Sequence, residues 1–127
     1  MIYLIDTHIL LWYMAGDTRL SQKFMIEIEN NSNSILISKA SLWETAIKLS
    51  TRKLKLTMPL LEIEKYIESR SITLLDFNFD DLHCLSQLKF YHNDPFDRLI
   101  ISQAITREIT IITDDSKFSL YLVQLLS

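Results

Sequence analysis

Short apolar runs alternate with longer segments of helical period along the whole chain, and this alternation restricts the fold more than any other feature. Four runs are short, rich in β-branched residues and apolar at consecutive positions: Ile2–Ile5, Ile35–Ile37, Ile72–Leu75 and Ile109–Thr113. Such runs predict strands that are covered on both faces. Between and around them, helical periodicity predicts helices at about 8–16, 20–30, 40–50, 59–69, 79–88 and 95–107.

Strands that alternate with helices predict an α/β fold, a three-layer α/β/α sandwich with a central parallel sheet. The tail at 121–125 is a candidate for a fifth strand. The chain contains no repeat, low-complexity tract or linker, so residues 1–127 are expected to form a single domain.

The numbers of glycines and cysteines and the length of the uncharged stretches exclude several classes of protein. The only glycine is Gly16, whereas a dinucleotide fingerprint needs three glycines and a P-loop needs two, so no nucleotide cofactor is expected. The only cysteine is Cys84, which excludes an intramolecular disulfide. The longest uncharged stretches, 7–16 and 118–127, are too short to span a bilayer. We therefore expect a cytoplasmic protein without a membrane segment.

Five acidic residues fall where the predicted parallel sheet would bring them to one edge. Asp6 follows the first strand, Asp115 follows the fourth, and Glu44 lies in the helix after the second. Asp94 and Asp97 open the helix that precedes the fourth strand. Carboxylates brought together repel one another unless a cation is present, and hard oxygen ligands suit Mg²⁺ or Mn²⁺. Such ions can activate water against a phosphodiester, so the pattern favours phosphodiester hydrolysis.

Helix capping is the competing interpretation of the same acids. Ser41 and Glu44 have the spacing of a capping box, and Asp94 stands at an N-cap position before Pro95. Asp6 and Asp115 could cap in the same way. If the acids only cap helices, the protein is a binding module without catalytic activity. Capping does not explain, however, why all five acids fall at the same edge of the predicted sheet. A phosphoacceptor receiver domain would need an acidic pair before the first strand, which is not evident.

Four motifs in order carry a resemblance to a known family. They are Leu4-Ile5-Asp6-Thr7-His8-Ile9-Leu10-Leu11-Trp12, Ser38-Lys39-Ala40-Ser41-Leu42-Trp43-Glu44 with Lys48, His92-Asn93-Asp94-Pro95-Phe96-Asp97-Arg98-Leu99-Ile100, and Thr113-Asp114-Asp115-Ser116-Lys117-Phe118. With these motifs the chain resembles PIN-domain ribonucleases, and among them the VapC-like toxins of toxin-antitoxin systems with an H-x-D-P-F-D-R signature. The likeness covers nearly the whole chain.

The resemblance implies a strand order of 3-2-1-4-5, a Mg²⁺ or Mn²⁺ cofactor and cleavage of RNA. Its catalytic acids correspond to Asp6, Glu44, Asp97 and Asp115, which would also bind the metal, with Asp94 as an added ligand. It further implies a homodimer and a cognate antitoxin. The alternatives within the family are an RNA-processing nuclease that is not a toxin and an inactive binding module. The chain departs from this branch at Arg52, where a glycine is common.

Several other residues are candidates for supporting roles. Lys48, Arg52 and Lys53 form the densest basic group and could contact RNA phosphates, or could be an ordinary solvated surface. Thr7 and Thr113 could hold a metal-bound water or a strand-end amide. Without the five acids the formal charge would change from −3 to +2, so the acidic composition does not exclude RNA as a substrate.

Apolar side chains give two further expectations. Large aromatic residues are mostly buried, so five of them are expected in the core: Trp12, Tyr13, Trp43, Phe96 and Phe118. A second set could form an exposed patch for a second subunit or an antitoxin peptide: Phe24, Ile28, Ile63 and Ile67.

Overall fold

The predicted strands form one parallel sheet in the computed structural model, which describes residues 1–126. The strands are β1 (Ile2–Ile5), β2 (Ser34–Ser38), β3 (Ile72–Leu75) and β4 (Thr110–Ile112), in the order β3-β2-β1-β4. The helices are α1 (Thr7–Ala15), α2 (Gln22–Glu29), α3 (Lys39–Ser50), α4 (Leu60–Ser69), α5 (Phe79–Gln87) and α6 (Pro95–Arg107). A 3₁₀ helix, Ser116–Leu120, follows β4. The α/β class and the central parallel sheet are confirmed.

The expected fifth strand is reduced to a single bridge. Leu125 pairs in parallel with Ile111, whose N–H donates to Gln124 and whose carbonyl accepts from Leu126. The tail thus satisfies one residue of β4 at the position that a fifth strand would occupy. Two hydrogen bonds to one residue are too few to make a ladder, so within residues 1–126 the sheet has four strands.

Each face of the sheet packs against a different set of helices. Side chains alternate along β1, so Tyr3 and Ile5 join one core cluster while Leu4 joins the other. The first cluster includes residues of α1, α2 and α4, and the second includes residues of α6 and the 3₁₀ helix. Both faces are therefore covered at β1, which explains why its sequence is apolar at consecutive positions, whereas the edge strand β3 exposes Thr73 and Leu74.

Residues 24, 28, 63 and 67 belong to the first of these clusters. Ile28, Ile63 and Ile67 are buried and Phe24 packs against them. The prediction that they form an exposed patch was therefore wrong. Their helical spacing marks the face of α2 and α4 that covers the sheet.

The start of α3 differs from the capping-box prediction. Ser38 is its N-cap, with Oγ accepting from the Ala40 N–H, so Ser41 lies inside the helix. The helix starts earlier because β2 ends directly at Ser38. As a result Glu44 is in the second turn, where it cannot cap this helix.

The end of α3 requires a left-handed residue. Arg52 has φ 59°, and its N–H donates to Leu49 while the N–H of Lys53 donates to Lys48. These two bonds form a Schellman motif, whose left-handed position usually holds glycine. Arg52, at the position where the related branch often has glycine, therefore adopts the left-handed conformation that glycine favours. Within residues 1–126 no helix is long and apolar enough to cross a membrane.

Candidate active site

Asp6 lies at the carboxyl end of β1 and is almost fully buried. Its Oδ1 accepts from the Ile9 N–H at 2.9 Å as the N-cap of α1, and its Oδ2 accepts from the Thr113 hydroxyl. Burial raises the pKa of Asp6 to about 6, although the hydrogen bonds from Thr113 and Ile9 lower it. Because Ile5 is in register with Ile112, Asp6 and Thr113 leave adjacent strands at the same edge.

Glu44 is 2% exposed and is held by two donors. The Thr7 hydroxyl donates to Oε1 at 2.8 Å, and the Lys48 ammonium contacts Oε2 at 2.8 Å, one turn further along α3. The hydrogen bond with Glu44 raises the pKa of Lys48, and the negative charges of Asp94 and Asp97 act in the same direction. Lys48 is thus a built-in cation of the acidic pocket.

Asp94 and Asp97 occupy the first turn of α6. Asp94 is the N-cap, and its Oδ1 accepts from the N–H groups of Phe96 at 2.9 Å and Asp97 at 3.0 Å. Burial raises the pKa of the Asp97 carboxyl to about 8, and the charges of the other four predicted acids raise it further: Asp94, Asp6, Glu44 and Asp115. At neutral pH Asp97 therefore keeps its proton unless a cation offsets its neighbours.

Asp115 follows β4 and begins the 3₁₀ helix. Its Oδ1 accepts from the Lys117 N–H at 2.9 Å, and its own N–H donates to the Thr113 hydroxyl at 3.0 Å. Thr113 thereby links the Asp6 side chain to the backbone of Asp115. The structure thus brings the five predicted acids together at the carboxyl edge, whereas Asp114 is exposed.

The acidic pocket, Asp6, Glu44, Asp94, Asp97 and Asp115, fits a hard cation in donor chemistry and in charge. All its ligand atoms are carboxylate oxygens, and the repulsion that raises the Asp97 pKa is what a cation would relieve. As arranged in residues 1–126, no group of three acidic, histidine or cysteine side chains is positioned to hold a metal ion. Several of the oxygens are instead engaged by protein donors and by Lys48.

The predicted basic residues divide between the pocket and the surface. Lys48 contacts Glu44, whereas Arg52 and Lys53 are exposed in the turn that ends α3. Glu44 lies six residues, or about 9 Å of helix axis, before Ser50, the last residue of α3, and Arg52 follows two residues later. The two exposed residues therefore lie just beyond the C-terminal end of α3.

The aromatic predictions hold only in part. Phe118 is fully buried, and Trp12, Tyr13 and Phe96 are partly buried, but Trp43 is 61% exposed. Trp43 was predicted to lie in the core because large aromatic side chains are mostly buried. No local signal in the sequence marked its exposure, because tertiary packing decides which face of α3 is buried.

The fold and the site define a class of α/β proteins with an acidic pocket at the carboxyl edge of a parallel sheet. The PIN domain profile matches residues 3–121, and the chain belongs to the PIN domain family. No curated protein matches the chain.

Solved structures show the same fold at low sequence identity. VapBC2 from Rickettsia felis, bound to a DNA fragment from its promoter, gives a TM-score of 0.74 at 23% identity and covers 99% of this chain and 98% of that chain. VapBC-1 from nontypeable Haemophilus influenzae gives 0.71 at 16%, covering 100% and 98%. Mycobacterium tuberculosis VapC20, described as a sarcin-ricin loop cleaving toxin, gives 0.66 at 16%, covering 95% of each chain.

Proposed function

We propose that this chain is a cytoplasmic endoribonuclease that depends on Mg²⁺ or Mn²⁺ and acts as the toxin of a toxin-antitoxin pair. The observation that carries the proposal is the crowding of Asp97 by four other acids at the carboxyl edge of a PIN fold. Structural carboxylates are normally paired with cations or donors, so an acid whose pKa is raised by burial and by four neighbouring acids is typical of a functional site.

The metal would be held mainly by Asp6, Asp97 and Asp115, with Glu44 completing the pocket and Asp94 beside it. When bound, the ion supplies a water of lowered pKa and stabilises charge on the phosphodiester. The donor set supports this assignment because Mg²⁺ and Mn²⁺ prefer oxygen ligands.

Neighbouring side chains hold the acids in place. The Thr113 hydroxyl fixes the Asp6 carboxylate, and the Thr7 hydroxyl fixes that of Glu44. Both threonines are buried, so their hydroxyls orient the acids without competition from bulk water. The Thr7 and Thr113 side chains are therefore proposed to position the acids, and no direct role toward RNA is assigned to them.

The RNA backbone would approach the pocket along α3. Lys48, Arg52 and Lys53 are proposed to contact phosphates, which position a strand without reading its sequence. Replacing both Arg52 and Lys53 should weaken RNA binding and reduce its dependence on salt by about two phosphate contacts. An unchanged salt dependence would remove these two residues from the interface.

The proposed partners are an antitoxin and a second copy of the chain. Structural neighbours support the first, since they include toxin-antitoxin complexes, such as one from Klebsiella pneumoniae at 17% identity. An apolar groove of about 670 Å³ between α4 and β3 offers surface for a partner segment, and its exposed lining includes Leu60 and Leu61. Sedimentation at micromolar concentration tests the homodimer, and a monomer would count against it.

Binding of Mn²⁺ measured by electron paramagnetic resonance tests the site without a known substrate. Wild type should show saturable binding, and Asp97→Asn should weaken it at least tenfold while keeping the fold. Asp80→Asn is the matched control, because Asp80 is an exposed acid of α5 and its loss should leave binding unchanged. The same variants are then tested for cleavage of pooled RNA, which Asp97→Asn should abolish.

A binding module without catalysis is the second candidate, because Asp6, Asp94 and Asp115 do cap helices. It predicts no saturable Mn²⁺ binding, and a stability loss of about 1 kcal/mol for each cap replaced. An RNA-processing nuclease would bind Mn²⁺ and cleave RNA as a toxin does. Growth arrest of a bacterial host by wild type, and not by Asp97→Asn, separates the toxin from that alternative.

A further inference from the structure

Trp43 is an exposed aromatic residue directly beside the acidic pocket. It is 61% exposed, while the next residue, Glu44, is 2% exposed. Its ring meets the Phe96 ring edge to face, with centroids 5.2 Å apart and planes at 84°. Phe96 in turn precedes Asp97. The aromatic pair therefore joins α3 and α6 at the residues next to two of the pocket's acids.

The indole is supported but not covered. An edge-to-face contact uses one face or one edge of a ring, and with 61% of Trp43 exposed at least one ring face remains open. Leaving a large aromatic surface in water is unfavourable, so a fixed, exposed indole beside a catalytic pocket indicates a surface for a ligand. Ile47, one turn further along α3, is 38% exposed and extends the apolar surface.

We propose that Trp43, held by Phe96, stacks on an unpaired base of the RNA substrate next to the bond that is cleaved. This inference rests on the proposed ribonuclease function. A base offers its face to a side chain only when it is unstacked, as in loops, bulges and single strands. The platform therefore selects unpaired RNA over a continuous duplex.

Stacking would also favour RNA binding despite the repulsion between the acidic pocket and the RNA phosphates. The ionised acids of the pocket repel a phosphate backbone, and Lys48, which contacts Glu44, offsets only part of their charge. Stacking on an indole does not depend on net charge, and each stacked base contributes enough to change affinity about 5- to 150-fold. The aromatic pair would thus hold the strand where electrostatics opposes binding.

The first measurement compares RNA affinities in an Asp97→Asn background, which prevents cleavage. The probe is a pool of short, labelled, single-stranded RNA of randomised sequence, and a blunt RNA duplex serves as the comparison. Adding Trp43→Ala should weaken single-strand binding about 5- to 150-fold and leave the salt dependence unchanged. Trp43→Phe should keep most of the affinity. Binding of the duplex should change less than twofold.

The second measurement uses fluorescence, with Trp12→Phe as the matched variant. Trp12 is the only other tryptophan, so this change leaves Trp43 as the sole indole. Bound single-stranded RNA should quench its emission, and the duplex should not. This readout does not require the Trp43→Ala variant to be stable.

Four results would overturn the inference. Equal RNA affinity of Trp43→Ala and its parent, or RNA binding without quenching, would show that Trp43 does not contact RNA. Cleavage of RNA by the wild-type protein would still support the ribonuclease function in either case. If Trp43→Ala converts a dimer into a monomer without changing RNA affinity, the surface is an interface between copies. If the parent binds no RNA and the enzyme cleaves none, the stacking role and the ribonuclease function fail together.

Discussion

At the scale of single residues, the acidic pocket contains two kinds of carboxylate. Asp6 and Glu44 are buried but receive hydrogen bonds from the hydroxyls of Thr113 and Thr7. Asp97 is surrounded by other acids, which with burial raise its pKa to about 8. Substitution of a threonine should therefore disturb the orientation of one acid, whereas substitution of Asp97 changes the charge balance of the whole pocket.

Arg52 gives a stability prediction that is independent of function. Its φ of 59° places a residue with a Cβ in the left-handed region, which glycine adopts without strain. Arg52→Gly should therefore raise the free energy of unfolding by about 1 kcal/mol, measured by urea denaturation at neutral pH.

Lys53→Gly is the matched control for Arg52→Gly. It removes the same charge from the neighbouring residue, but Lys53 does not have a positive φ, so added backbone freedom should lower stability by about 0.5 to 1 kcal/mol. If both glycine variants change stability in the same direction, the conformation at Arg52 is not the cause.

The sequence predicted which acids gather but not what holds each one. Order along the chain placed Asp6 and Asp115 at strand ends, and a parallel sheet brings such ends together. By contrast, the pairing of Glu44 with Thr7 joins residues 37 positions apart, and no local pattern encodes it. Exposure of Trp43 was missed for a similar reason, because the rotation of α3 about its axis depends on tertiary packing.

At the scale of elements, α5 is fastened to α6 by one buried carboxylate. Asp81 is fully buried, forms a capping box with Asn78, and accepts from the side chains of Thr106 and Arg107. Burial alone would raise the pKa of Asp81, but these hydrogen bonds outweigh burial and hold the pKa below its ordinary value. The contact matters for the site because α6 also carries Asp97.

Asp81→Ala should destabilise the protein strongly, since it removes the N3 acid of the capping box and leaves the Arg107 guanidinium without its buried partner. We expect a loss of about 3 to 5 kcal/mol at pH 7, measured by urea denaturation. A carboxyl with a lowered folded pKa stabilises the fold above its unfolded pKa, near 3.8, and this contribution is lost as pH falls through the folded value.

The difference between wild type and Asp81→Ala should therefore shrink below about pH 4. Asp80→Ala, at the exposed neighbouring acid, should change stability by less than about 0.5 kcal/mol. Equal losses in the two variants would show that helix capping and dipole effects, and not the buried contact, account for the result.

Elements were predicted well where the apolar pattern is long, and less well where two local signals compete. The six helices and the four strands agree with their predicted places because short apolar runs rich in β-branched residues alternate with longer segments along the chain. The N-cap of α3 was assigned wrongly by the capping-box interpretation because Ser38 and Ser41 are both acceptable caps, and only the end of β2 decides between them. Within residues 1–126 the tail pairs with β4 only at Ile111, so it forms a bridge and not a strand.

At the scale of the whole molecule, the fold concentrates negative charge at one edge although the net charge is only −3. The metal-free pocket reduces this repulsion by keeping a proton on Asp97 and by placing Lys48 against Glu44. Since the folded pKa of Asp97 is raised, the folded chain binds the extra proton, and its stability decreases as pH rises from about 4 to about 8.

A divalent cation and this proton must then compete for the pocket. Below pH 8 each bound Mn²⁺ should displace about one proton, so the apparent affinity should rise about tenfold per pH unit between about pH 6.5 and 7.5. Above pH 8 it should level off. Below about pH 6, where Asp6 also takes up a proton, the dependence should become steeper. Titration calorimetry in two buffers of different ionisation enthalpy measures the proton release directly.

Asp97→Asn separates this competition from any general effect of pH on the protein. The variant has no proton to release at position 97, so its remaining Mn²⁺ affinity should be nearly constant from pH 6.5 to 8.5. Saturating Mn²⁺ should remove the decrease in stability with rising pH in wild type only. Proton release that is the same in both proteins would place the titrating group elsewhere. Affinity that is independent of pH in wild type would mean that the ion binds outside the acidic pocket, and the assignment of Asp97 as its ligand would be wrong.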